Sequence, residues 1–322
     1  MIRCLIFVLL ISACVSPNQD NSLAGRIIYV DAGHGGTAAI DSYRVGPTGE
    51  REEWINLRVA KHLEVLLKAE GAEVLMTRTT DTAVSLSDRA KLAKDRGADV
   101  FLSIHHNATA DTSVYFPIVY YHGNASENQA SVRLGDLVIR QLRAALFNDS
   151  VPVSLVSDHT IFPRSGTAVL RGTYSIPAII GEATFFTNPT EEQRLKSEAY
   201  NQREAKAYRD GLREFFTDSV PPVREKYSRA EIPPFQVLQE AERMQPAALA
   251  WRENFQWGKD LFEQQDWPGA YDYFTRSARS FPDSYLAREA HRYRAMILEE
   301  MDSLKAAGIA QQRVNEYYVP VK

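Results

Sequence analysis

The chain has 322 residues, 44% hydrophobic and 24% charged, which is long enough for two domains and ordinary for a soluble globular protein. A net charge of −4 excludes the strongly basic balance of a nucleic-acid-binding surface. The two cysteines, Cys4 and Cys14, both fall in the first fourteen residues, so the rest of the chain carries no disulfide framework.

Those first residues have the three-part build of a secretory signal. Arg3 is the positive start, Leu5 to Ile11 the apolar core, and Ser12-Ala13-Cys14 the small-residue end, too short to span a bilayer. Ile11-Ser12-Ala13-Cys14 also resembles the lipobox of bacterial lipoproteins; a plain signal peptide that contains Cys is the alternative. The resemblance implies removal of residues 1–13, lipidation of Cys14, and a membrane lipid anchor. Val15, where inner-membrane lipoproteins resemble one another in having Asp, points to the outer membrane facing the periplasm. Residues 14–25 read as a polar tether.

From Arg26 the pattern changes. Ile27-Ile28-Tyr29-Val30 suits a buried central strand and stops at Asp31-Ala32-Gly33-His34-Gly35-Gly36, where three glycines allow a sharp turn. A helix is predicted over 52–69, with Ile55, Val59, Leu63, Leu66 and Leu67 on one face. Strands follow at 72–77, 99–105, 116–121 and 176–183, and helices at 87–96, 128–147 and 191–216. Strands alternating with helices predict an α/β fold, a mostly parallel sheet flanked by helices, over residues 26–216.

Pro221, Pro222, Pro233 and Pro234 mark residues 217–236 as a semi-rigid linker. Residues 237–322 read as a small all-α region. Gly258, Leu261, Ala270, Phe274 and Pro282 fall at tetratricopeptide-like spacings, with a plain helical tail as the alternative. One and a half repeats bury too little by themselves, so these helices are expected to lean on the preceding domain, dimerise, or meet a protein partner.

Four polar residues sit where polarity is costly. His34 and His105 end strands, Glu182 interrupts the apolar run 177–183, and Glu52 opens the first helix on its core-facing stripe, with Glu53 about 110° off that stripe. Two His and one Glu converging at strand ends would supply three protein ligands to one Zn²⁺ and leave a fourth position for water. Glu182 would then move the proton between water and a departing amine.

Four blocks carry a family resemblance: VDAGHGG (30–36), GEREEWINLRVA (49–60), SIHHNA (103–108) and PAIIGEATFFTNPTEE (177–192). Together they resemble the zinc-dependent N-acetylmuramoyl-L-alanine amidases of the amidase type 3 family. The resemblance implies a six-stranded twisted sheet, with His34, Glu52 and His105 as zinc ligands and Glu182 as catalytic carboxylate. It places Asn107 and Arg171 near substrate. Peptidoglycan would be cut between N-acetylmuramic acid and L-alanine during cell-wall remodelling. Arg78 and Arg89 are expected to hold loops through ion pairs, and His106 to face away from His105. The loop after Gly36 is about three residues longer than is usual in that family. Between Asn107 and Glu182 the sequence shows no extra helical insertion of the kind that blocks the site in some division amidases, so the cleft is expected to be open without an activator. Two other readings fit the same residues: a non-catalytic peptidoglycan-binding scaffold, and a zinc peptidase cutting within the stem peptide.

Overall fold

The computed structural model of the chain describes residues 22–37, 43–228, 245–282 and 284–316. Cys14 and its lipobox-like surroundings lie outside them, and among them no helix is long and apolar enough to cross a membrane. Six strands form one sheet: β1 (Ile27–Ala32), β2 (Glu73–Met76), β3 (Val100–Asn107), β4 (Ile118–Tyr121), β5 (Ser154–Ser157) and β6 (Ala178–Phe185). Their order is β2-β1-β3-β6-β4-β5. Every pair is parallel except β4 with β6. β1 reads as an unbroken apolar run because both of its faces are covered, and Ile28, Tyr29 and Val30 are at most 2% exposed.

On one face lie α1 (Glu52–Ala69), α3 (Gln129–Leu146) and α6 (Glu198–Thr217); on the other, α2 (Leu86–Asp95) and the short α4 (Ala168–Gly172). The α1 stripe Ile55, Val59, Leu63 and Leu67 is fully buried, and each side chain contributes about 1.5–3 kcal/mol by leaving water. Glu53, expected off that stripe, is also buried, because Arg51 Nε donates to it at 2.8 Å and the Thr37 hydroxyl at 3.2 Å.

Two local features differ from the sequence-based expectation. The helix expected over 191–216 is broken into α5 (Pro189–Leu195) and α6. Asn188 caps α5 by accepting from the amides of Thr190 and Glu191, and Asn201 Nδ2 donates to the Leu195 carbonyl at the break, 2.9 Å away. β5, flanked by serines and only four residues long, carries too little pattern to be read from sequence.

The C-terminal region contains α7 (Ala250–Glu263), α8 (Trp267–Ser280), α9 (Ala287–Glu300) and α10 (Leu304–Glu316). They enclose a separate apolar cluster around Phe255, Phe274 and Ile297. Gly258 lets α7 approach α8 closely, since a Cβ there would lie 2.9 Å from the Phe274 ring. The C-terminal region leans on loops that border the sheet. Phe281 meets Phe162 at 6.0 Å between ring centres, and the Ala110 amide donates to the Ser280 hydroxyl at 2.8 Å. Tyr43, from the loop before α1, inserts its ring among His291, Arg294 and Arg313, and Arg294 donates to its hydroxyl.

Candidate metal centre and active site

Strand alternation decides which side chains converge. Phe101, Ser103, His105 and Asn107 point to the α2/α4 side of β3, as Ala178, Ile180 and Glu182 do on β6. His105 and Glu182 are register partners on these neighbouring strands, in their carboxyl-terminal halves. β1 ends beside them in the glycine turn. His34 adopts φ +58°, a left-handed conformation that costs a non-glycine residue about 1–3 kcal/mol and sets the direction of its imidazole. Gly33 is equally constrained, because a Cβ there would lie 2.3 Å from His105 Cε1 and Nε2.

Glu52 links the two rings. Its Oε2 lies 3.2 Å from His34 Nε2 and its Oε1 3.0 Å from His105 Nδ1, while the rings meet edge-on, 4.7 Å between centres. One ligand atom from each of the three residues lies within 4.8 Å of the others. Two imidazoles and one carboxylate fit the donor set of a catalytic zinc site, and the missing Cβ of Gly33 lets the His105 ring take its place in that set. Burial by itself raises the Glu52 carboxyl, but His34 and the hydrogen bond with His105 outweigh it and hold Glu52 well below the usual carboxylate range. Burial pushes His105 down against the opposing pull of Glu52, which favours the neutral ring a metal requires.

Arginines fix this turn from beneath. Arg89 Nη1 pairs with the buried Asp31 at 2.6 Å and donates to the Ala32 carbonyl, and its Nη2 donates to the His34 carbonyl. Burial would raise the Asp31 carboxyl, yet Arg89 and the Ser103 hydroxyl hold it below its ordinary value. Arg78 works through carbonyls rather than the expected ion pair, donating to Ala32, Gly33, Glu53 and Thr80.

Asn107 is hydrogen-bonded to Tyr120, whose phenol burial and the charge of Glu182 push well above its ordinary value. Asn107, Tyr120 and Glu182 thus share one neighbourhood; Tyr120 had no sequence signal beyond its place in an apolar run. Arg171 is engaged elsewhere. Its Nη1 donates to the Ser165 and Gly166 carbonyls, and Gly166 lies against Asp158 and His122. His106 faces α1 and α6, away from His105, and hydrogen-bonds Asn56 and Glu204.

A second constellation, His122, Asp158 and His159, also brings ligand atoms within 4.8 Å. Because β4 runs against β6, it lies at the opposite end of the strands. Here the cation is built in. Lys226 Nζ lies 2.8 Å from His122 Nε2, and Asp158 faces His122 Nδ1 at 2.9 Å while accepting from Thr167 N and Oγ1. The network ties the segment after α6 to the sheet, helped by the Arg224 amide on the Glu127 carbonyl.

The N-acetylmuramoyl-L-alanine amidase family model matches residues 28–214. Among relatives, N-acetylmuramoyl-L-alanine amidase AmiA of Salmonella typhimurium is 28% identical over 232 residues, covering 62% of this chain and 79% of AmiA. Amidase LytC of Bacillus subtilis is 30% identical over 212 residues, covering 64% of this chain and 38% of LytC. Among solved structures, the N-acetylmuramoyl-L-alanine amidase of Clostridium difficile 630 superposes with a TM-score of 0.52 at 30% identity, over 60% of this chain and 97% of that one. AmiC2 of Nostoc punctiforme superposes with a TM-score of 0.51 at 26% identity, over 61% and 99%. Matched over more than half of its length by that family model, this chain belongs to the N-acetylmuramoyl-L-alanine amidase family.

Proposed function

We propose that the chain hydrolyses the amide between N-acetylmuramic acid and L-alanine in peptidoglycan with one zinc ion held by His34, Glu52 and His105. The observation that carries the reading is the convergence of these three ligand atoms within 4.8 Å, with Glu182 directly across the β3–β6 register from His105. When bound, zinc supplies a Lewis acid that polarises a carbonyl and lowers the pKa of water. Glu182 takes the proton of the attacking water and returns it to the leaving L-alanine nitrogen, which departs poorly as an anion. Asn107, hydrogen-bonded to Tyr120 near Glu182, orients the amide in this reading. Arg171, occupied by Ser165 and Gly166, supports that loop in this reading.

The chain acts at the cell envelope. Lipidation at Cys14, residence at the periplasmic side of the outer membrane, and the division into tether, catalytic domain (26–216), linker (217–236) and helical region (237–322) belong to the same proposal. So does a protein partner for the C-terminal helices.

The test uses residues 21–322, with and without Glu182→Ala, on purified peptidoglycan with zinc and with a chelator control. Mass spectrometry should find free stem peptides beginning with L-alanine, lost with chelator and reduced about 10²–10⁴-fold by the substitution. Cleavage within the stem would convert the reading to a zinc peptidase. A folded, zinc-loaded protein that binds peptidoglycan without releasing peptides would make it a scaffold.

A further inference from the structure

Behind Glu52, on the face of β3 opposite His105, four side chains form a continuous hydrogen-bonded line. Asn56, one turn along α1 from Glu52, donates from Nδ2 to Glu52 Oε1 and to the Gly33 carbonyl, each at 3.2 Å. Both partners only accept, so the orientation of the Asn56 amide is decided and its Oδ1 must face His106 Nδ1, 2.8 Å away. A carbonyl oxygen only accepts as well, so Nδ1 carries the hydrogen. The other ring nitrogen, Nε2, lies 3.0 Å from Glu204 Oε2 on α6. The His106 amide also donates to Glu52 Oε1, at 3.3 Å. Asn56 and Glu204 are 0% exposed, His106 1% and Glu52 4%.

We propose that His106 and Glu204 are positioning residues that aim the Glu52 carboxylate at the metal, a role that rests on the assignment of Glu52 as a ligand. A glutamate carboxylate turns about its last torsion and can present either oxygen. Here Oε1 is held by the Asn56 amide and the His106 main chain, which directs the carboxylate between His34 and His105. The Asn56 amide is anchored at its other end by His106 Nδ1–H, which donates to Oδ1. Without that donor the buried Oδ1 is left unpaired, and the hold of the amide on Glu52 Oε1 weakens. Glu204 secures the donor by holding the far end of the ring. The polar line therefore transmits the position of α6 to a ligand on α1.

The experiment measures the zinc dissociation constant of the full chain by competition with a chromophoric chelator, together with the melting temperature of the metal-free protein. Glu204→Leu and His106→Gln, which remove the anchor and the Nδ1 donor respectively, should weaken zinc about 10–100-fold. Glu204→Gln should stay near wild type, because its amide can donate to His106 Nε2 and leave Nδ1–H in place. Rescue by glutamine separates positioning from packing, since leucine fills the same buried space. Wild-type affinity in folded Glu204→Leu and His106→Gln proteins, or equal losses in Glu204→Gln and Glu204→Leu, would overturn the positioning role alone. If Glu204→Leu fails to fold, the comparison of His106→Gln with Glu204→Gln decides. A wild-type protein that binds no zinc would overturn the ligand assignment, and the positioning role with it.

Discussion

Gly33 offers the sharpest test of how the centre is built, because its substitution adds a single carbon beside a single ligand. A Cβ on Gly33 would lie 2.3 Å from His105 Cε1 and Nε2, whereas carbon atoms rest about 3.5–4.0 Å apart. The ring or the backbone must therefore give by about 1.2 Å. Neither can do so freely. The Gly33 amide donates to the Ile104 carbonyl at 3.0 Å, which ties the turn to β3, and His105 Nδ1 is held by Glu52 at 3.0 Å. The strain falls on the His105 ring, which has to leave its contact with Glu52. A misplacement of about 1 Å at reacting groups costs about 10² in rate, or about 2.7 kcal/mol. Gly33→Ala should thus lower kcat/KM on purified peptidoglycan about 100-fold and reduce zinc retained after dialysis, with the far-ultraviolet circular dichroism unchanged. Zinc content and kcat/KM within threefold of wild type would refute the reasoning.

Other expectations follow from the same geometry. Arg89→Ala leaves Asp31 buried without its cation, and chemical denaturation should show a loss of about 3–5 kcal/mol. Asp31 is held below its ordinary value when folded, so its ionised form contributes stability above the unfolded pKa near 3.9, and this is lost as pH falls towards the depressed folded value. The stability of Asp31→Asn should fall less steeply below about pH 4 than that of wild type, measured by thermal melts across pH. Zinc at 100 times its dissociation constant should add about 2.7 kcal/mol, so chelation should lower the melting temperature by about 5–10 °C. Arg294→Ala removes the guanidinium that binds Tyr43, Tyr271 and Thr275, and hydrogen exchange should quicken in residues 43–51 while β1 and β3 stay protected.

What the sequence determined by itself was local. The unbroken apolar run of β1, the 3.6-residue stripe of α1 and the glycines around His34 each state their structure within a few residues, since strand and helix periods are properties of the adjacent chain. Glu52 and Glu182 stood out for the same reason: a charge on a buried stripe is conspicuous without any knowledge of its partners. The break at Ser197, the short β5 and the burial of Glu53 were not legible, because each depends on a hydrogen-bond partner far away in sequence or on a strand with too little pattern. His106 shows the division most clearly. Alternation along β3 puts it opposite His105, but only the fold brings Asn56 from α1 and Glu204 from α6 to its two nitrogens. The seating of Tyr43 among His291, Arg294 and Arg313 likewise joins residues some 250 positions apart in sequence. No periodicity encodes such a contact; it exists only once the C-terminal helices pack beside the loop before α1 and partly bury the aromatic ring.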